Sequence, residues 1–251
     1  MLNLRRTMLL AMVPLAKAAA SSLTSRAHVL RRGPGGNVLR ARSLMTAGGP
    51  PLPPSELGYT YKGGSAGKPV IEFFLDVSCP FSAKAYATLH PAIIPGGALA
   101  GRANFVVHQV VQPWHSQSTV MHEACFAVRK LAPGDFPAYL AAIFDKLMME
   151  YTVEMTKDET RSQTAARLAQ LAAETTSLKA AQVEELLAIT GKGNDGCAVS
   201  QMVRWTTKYH RARGAHVTPT VFVNGIEAPQ VSSKWSIEEY AALLDELEAA
   251  V

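Results

Sequence analysis

The run Val70-Ile71-Glu72-Phe73-Phe74-Leu75, followed almost at once by Ser78-Cys79-Pro80-Phe81-Ser82, constrains the fold of this chain more than any other segment. An apolar, aromatic-rich run of this length reads as a strand buried on both faces, here residues 70–76. Proline cannot continue a central strand, but its fixed φ and missing N–H suit the first position of a helix. The pattern therefore predicts a strand, a sharp turn, and a helix from Pro80 to about Leu89 that stops before Pro91. Cys79 falls at the helix start, where unpaired amide N–H groups and the helix dipole favour a thiolate over a thiol. Three residues on, where a redox dithiol carries its second sulfur, stands Ser82.

Downstream, Asn104–Val111 reads as a second strand, which makes a right-handed βαβ unit with the first. From about Ser118 to Thr190 the apolar spacing turns helical. Helices are expected over Thr119–Leu131, over Asp135–Glu150 with Asp135 as N-cap, and to Glu174 after a capping box at Thr156-Lys157-Asp158-Glu159. A further helix is expected over Ser177–Thr190, and another to about Arg213 capped by Asp195. Ser236-Ile237-Glu238-Glu239 is a second capping box, opening a C-terminal helix.

Near the end of the chain, Val217-Thr218-Pro219-Thr220-Val221-Phe222-Val223-Asn224-Gly225 places a proline before a β-rich run that closes in an Asn-Gly hairpin turn. Together with the Cys79 turn, this segment resembles the thioredoxin superfamily, in which the active-site turn faces a cis-proline loop. The long helical stretch between the two segments is similar to the DsbA-like branch. The resemblance implies an α/β thioredoxin-like fold, with a helical insertion at about 116–195 between an N-terminal βαβ part and a C-terminal ββα part. It further implies a cis Thr218–Pro219 bond beside Cys79, with Thr218, Pro219, Pro80 and Phe81 as substrate-binding residues. Ser82 departs from the dithiol pattern of that branch.

Of the 25 Lys and Arg residues, eight lie in residues 1–46, which contain no acid; the remaining 17 are outnumbered by the 20 acidic residues. The formal charge of +5 therefore belongs to the N-terminus and gives no reason to expect nucleic acid. An Arg-rich, Ser/Ala-rich, acid-free segment has the composition of an organellar transit peptide, here residues 1–47, with a mitochondrial destination expected and a plastid as the alternative. Secretion fits less well, because Lys17 interrupts the short apolar stretch and further arginines follow. Residues 48–67, rich in Gly, Pro and Ser, read as a linker, partly ordered near Leu57–Tyr61, and residues 68–251 as the domain. No apolar stretch approaches the roughly 20 residues of a membrane span.

The chemistry expected is that of a single nucleophile. Cys79 would attack a disulfide and form a mixed disulfide, and Ser82, unable to displace it, would hydrogen-bond the thiolate from one turn away. Resolution then falls to a substrate thiol or to glutathione, a candidate co-substrate, with no tightly bound cofactor expected. Protein disulfides or thiols are the expected partners, in an isomerase-like or glutathione-linked role rather than a dithiol oxidase role. A kappa-class glutathione transferase or 2-hydroxychromene-2-carboxylate isomerase is a weaker match, since Ser stands in those relatives where Cys79 stands here. A peptide-binding module without turnover is the non-enzymatic alternative.

Gln112-Pro113-Trp114-His115 follows the second strand, so Trp114 and His115 are expected at the edge of the site. His108, His115 and His122 recur every seven residues, but strand, loop and helix separate them, and no metal site is expected. Cys125 and Cys197 read as core thiols, and Gly191–Gly196 as an interhelical turn despite its literal G-x-G-x-x-G spacing.

Overall fold

A computed structural model describes residues 51–250; the transit-peptide reading of residues 1–47 lies outside them. Five strands form one mixed sheet in the order β1-β3-β2-β4-β5: β1 (Tyr59–Thr60), β2 (Val70–Leu75), β3 (Asn104–Gln109), β4 (Thr220–Val223) and β5 (Ile226–Glu227). β2 and β3 are parallel, joined by α1 (Pro80–Ile93), and the other pairs are antiparallel. Between β3 and β4 come α2 (Ser118–Leu131), α3 (Phe136–Glu150), α4 (Val153–Thr156), α5 (Arg161–Thr175), α6 (Ala180–Leu187) and α7 (Ser200–Ala212). α8 (Ile237–Ala249) ends the chain. The architecture is the expected α/β thioredoxin-like fold with a helical insertion.

The central strand β2 is covered on both faces, which is why it reads as an uninterrupted apolar run. Ile71, Phe73 and Leu75 join the main core with α1, α3 and α8 residues such as Leu89, Ile143 and Tyr240. Phe74 faces the other way, onto Val110, Ala215, Phe222 and Tyr209. α2 is the axle of the insertion: Met121, Ala124, Cys125, Ala127 and Val128 are all fully buried.

Local expectations were corrected where tertiary contacts outweighed sequence signals. α1 continues through Pro91, because Ala92 and Ile93 are buried and hold the last turn against the loss of one N–H bond. Asp135 precedes α3 but does not cap it: Pro137 supplies no N–H there, and the carboxylate instead accepts from the Ser177 amide (2.9 Å) and hydroxyl (2.6 Å). The capping box of α5 is Thr160 with Gln163, not Thr156 with Glu159; Thr156 ends α4 and Glu159 binds Arg167 and Thr164. α6 is shorter than expected, since Ser177 is engaged with Asp135. α7 starts at Ser200 rather than after Asp195, because Gly196, at φ 79°, turns the chain away from helix. The Ser236–Glu239 box and the Asn224-Gly225 turn form as expected, the latter with both residues at positive φ (49° and 86°).

The expected linker over 48–67 holds the edge strand of the sheet. Tyr59 pairs with Val107, Thr60 with Val106, and the Tyr61 amide donates to the Phe105 carbonyl (2.9 Å). Burial of Tyr61, which hydrogen-bonds the Tyr86 hydroxyl, draws this segment into the domain.

Candidate active site

The site lies at the carboxyl end of β2. Cys79 is the N-cap of α1 and Pro80 its first residue, with the Cys79 backbone extended (φ −93°, ψ 122°). The Cys79 amide donates to the Asp76 carbonyl (3.0 Å) and its own carbonyl accepts from Ala83 (3.0 Å), which closes the turn. No side chain caps this helix, so its N-terminal dipole faces the sulfur.

Strand register brings the proline loop to the same place. β4 runs antiparallel to β2 with Thr220 opposite Phe74, so Thr218 falls level with the turn that follows Leu75. The Thr218–Pro219 bond is cis, and the Cys79 Sγ–H donates to the Thr218 carbonyl at 3.4 Å across 139 positions of sequence. Pro80 and Phe81 face solvent, and Phe81, Trp114 and Val217, neighbours in sequence of Pro80, His115 and Thr218, are each about 60% exposed, whereas Cys79 is buried.

Ser82 makes no hydrogen bond to Cys79. Its hydroxyl is fully buried and accepts from the Asp76 amide (3.3 Å), so the expected bond to the thiolate is replaced by one to the turn's backbone. Helical geometry still places it one turn from Cys79 on the same face.

Beneath the turn is a group that sequence reasoning missed. Asp76 is fully buried, and its Oδ1 accepts from the Ser78 amide (2.9 Å), the Ser118 hydroxyl (2.8 Å) and His122 Nε2 (3.1 Å). Oδ2 accepts from His115 Nδ1 (2.7 Å) and the Gln112 amide (3.4 Å). Burial works to raise this carboxyl's pKa, but the hydrogen bond and charge of His122, with hydrogen bonds from His115 and the Ser78 amide, outweigh it and hold it below its usual range. The spacing of Ser118 and His122 carried a usable signal. Positions i and i+4 on α2 share one helix face, and an acid directly after a buried strand is the partner such a face needs. Strand, loop and helix separate His108, His115 and His122 as expected, and the fold nonetheless brings His115 and His122 to one carboxylate.

His108 goes elsewhere, to a second buried carboxylate. Glu72 accepts from His108 Nε2 (3.0 Å), Arg213 (2.8 and 3.1 Å) and the Tyr209 hydroxyl (3.3 Å). Burial pushes the Glu72 pKa up, but hydrogen bonds and charge from His108 and Arg213 overcome it and lower it to about 2. The Arg213 guanidinium also lies 4.4 Å from the Phe222 ring centre. This cluster ties the end of α7 to the sheet just before the chain enters the Thr218 loop.

A family model described as thioredoxin matches residues 57–246. The chain belongs to the thioredoxin superfamily. Among solved structures it is similar to a proposed protein-disulfide isomerase from Pseudomonas syringae, with 26% identity, a TM-score of 0.58, and coverage of 74% of this chain and 97% of that one. It is also similar to BdbD from Bacillus subtilis (18% identity, TM-score 0.59, 76% and 92% covered). A third is the disulfide bond oxidoreductase DsbG from Mycobacterium tuberculosis (22%, 0.55, 76% and 86%). These likenesses show that this thioredoxin-superfamily protein has a DsbA-like fold, that of thiol–disulfide oxidoreductases. No curated protein matches.

In this thioredoxin-superfamily chain the remaining thiols stand apart from the site. Cys125 is fully buried in α2, and burial pushes its thiol well up, while Cys197 accepts from the Ser200 hydroxyl (3.3 Å). All three cysteines are free. Among the described residues no group of three His, Cys, Asp or Glu side chains is placed to hold a metal ion, and no helix is long and apolar enough to cross a membrane. Gly191–Gly196 forms a turn between α6 and α7, closed by the Gly191 amide on the Gly196 carbonyl (3.1 Å). A concavity of about 590 Å³, bordered by Gly67, Asn224 and Glu248, is at the far end of β2 from Cys79.

Proposed function

We propose that this protein exchanges disulfides through a single thiol, Cys79, acting on protein disulfides or on glutathione in an isomerase-like or glutathione-linked role. The observation that carries the reading is the 3.4 Å contact of Cys79 Sγ with the Thr218 carbonyl at the start of α1, with a buried Ser82 one turn on. The Cys79 thiolate attacks one sulfur of a disulfide and expels the other as a thiolate, which takes up a proton. A second thiol, from glutathione or from the substrate, attacks the mixed disulfide and releases Cys79. Electrons balance over the cycle, and no dithiol oxidation occurs, because Ser82 cannot supply the second sulfur. The exposure of Phe81, Trp114 and Val217, each next in sequence to a residue of the site, suits an unfolded or extended polypeptide better than a small polar substrate. The acid-free leader gives a mitochondrion as the proposed location, with a plastid as the alternative.

Intact-mass measurement after incubation with oxidised glutathione tests the reading. The wild type should retain one glutathione and Cys79→Ser none. In Ser82→Cys the introduced thiol should displace glutathione and leave an internal disulfide with Cys79. A wild type that takes up no glutathione while still holding an unfolded polypeptide would leave only the peptide-binding module.

A further inference from the structure

We propose that Gln112 and Thr220 are positioning residues of the Thr218 loop, and that they set the direction of the two Thr218 backbone groups that a polypeptide substrate meets beside Cys79. The inference rests on Cys79 being the reacting thiol.

Between α7 and β4, four consecutive carbonyls are each held by a side chain from a different part of the fold. The Ala215 carbonyl accepts from His210 Nδ1 on α7 (3.0 Å), and that of His216 from Gln112 Nε2 in the loop after β3 (3.0 Å). The Val217 carbonyl accepts from the Thr220 hydroxyl on β4 (2.7 Å), and that of Thr218 from Cys79 Sγ at the start of α1 (3.4 Å). Among the described residues no backbone amide donates to any of the four, so side chains aim these carbonyls. His210, Gln112 and Thr220 are buried, which makes their bonds costly to lose.

Peptide planarity turns these bonds into control of Thr218. One plane carries the carbonyl of a residue and the amide of the next, pointing opposite ways. The bond from Thr220 to the Val217 carbonyl therefore fixes the direction of the Thr218 amide, and the bond from Gln112 to the His216 carbonyl fixes the plane before it. The Thr218 amide donates to no backbone carbonyl among the described residues, and the Thr218 carbonyl accepts from the Cys79 thiol. When Cys79 enters a mixed disulfide, Sγ bonds one substrate sulfur, and the other leaves as a thiolate and takes up a proton. Sγ then carries no proton, and the Thr218 carbonyl has lost its donor. Both backbone groups of Thr218 become available to the bound chain, whose extended backbone offers an N–H and a C=O to match them.

The test is steady-state exchange with a disulfide-bonded peptide, with reduced glutathione as the thiol that releases it. Thr220→Val removes the hydroxyl at similar shape, and Gln112→Met removes the donor at similar length. Each should raise KM for the peptide about 3–10-fold, the worth of one hydrogen bond. Thr220→Ser keeps the hydroxyl and should restore the wild-type KM. A merely structural role would shrink the folded fraction, which lowers kcat and leaves KM where it is. The two residues lie in different segments, so either variant decides should the other not fold. A wild-type KM in either folded variant, or a Thr220→Ser no better than Thr220→Val, overturns the proposal. A wild type that takes up no glutathione and turns over no peptide sinks the exchange reading itself, whereas one that takes up glutathione but turns over no peptide sinks only this inference.

Discussion

Glu72 offers the sharpest quantitative test of how the site is held. The residue is 8% exposed, its carboxylate receives hydrogen bonds from His108, Arg213 and Tyr209, and these partners lower its pKa to about 2 from an ordinary 4.5. A folded-state pKa below the unfolded one means that the unfolded chain binds the proton more readily. The associated stability is therefore complete above pH 4.5 and is lost as pH falls towards 2. At about 1.36 kcal/mol per pH unit, the displacement corresponds to roughly 3 kcal/mol near neutrality, with about half remaining at pH 3 and little at pH 2. Glu72→Gln keeps the side-chain volume but cannot ionise. Urea unfolding of both proteins across the acid range should show wild type more stable by that amount near neutrality, with the gap closing between pH 4.5 and pH 2. Because Arg213 leads into the Thr218 loop, the same variant should lower Cys79 reactivity near neutrality. A stability gap that stays constant down to pH 2 would refute the assignment of the shift to Glu72.

Two further outcomes test how the chain reaches the site. Gly58→Ala should destabilise the protein by about 1–3 kcal/mol in chemical denaturation, because a Cβ there would overlap Val106 and the His108 ring, and neither can retreat from the sheet. Asn224→Ala should cost about 1–2 kcal/mol by the same assay, since Asn224 sits at φ 49° and its Oδ1 accepts from the Val70 amide (2.8 Å). Both should leave alkylation of Cys79 by a small reagent unchanged, as they lie away from the turn.

The parts of this protein written within a few neighbouring residues were legible from sequence. β2 is apolar on both faces, so its burial shows in composition alone. Pro80 marks the start of α1, Asn224-Gly225 makes a turn that needs two positive φ angles, and Ser236 with Glu239 caps α8 within one turn. In each case the deciding interaction joins residues no more than four apart. The superfamily likeness added the pairing of Cys79 with Thr218, which neither segment specifies alone.

Only the tertiary structure decided the rest, because it depends on groups that the fold brings together. Asp135 could cap α3 or bind Ser177, and the packing of α3 beside the end of α5 chose Ser177. Pro91 carries a signal to stop, but burial of Ala92 and Ile93 outweighs one missing hydrogen bond. Ser82 was close enough in sequence to serve Cys79, yet its hydroxyl points to the Asp76 amide. Asp76 shows the limit most plainly. Its partners come from the turn, from the loop after β3 and from α2, and a carboxylate can stay charged in a dry interior only when such donors converge on it. The sequence thus determined where the candidate thiol stands, at the start of α1, and the packing of the insertion against the sheet decided which groups gather beneath that turn.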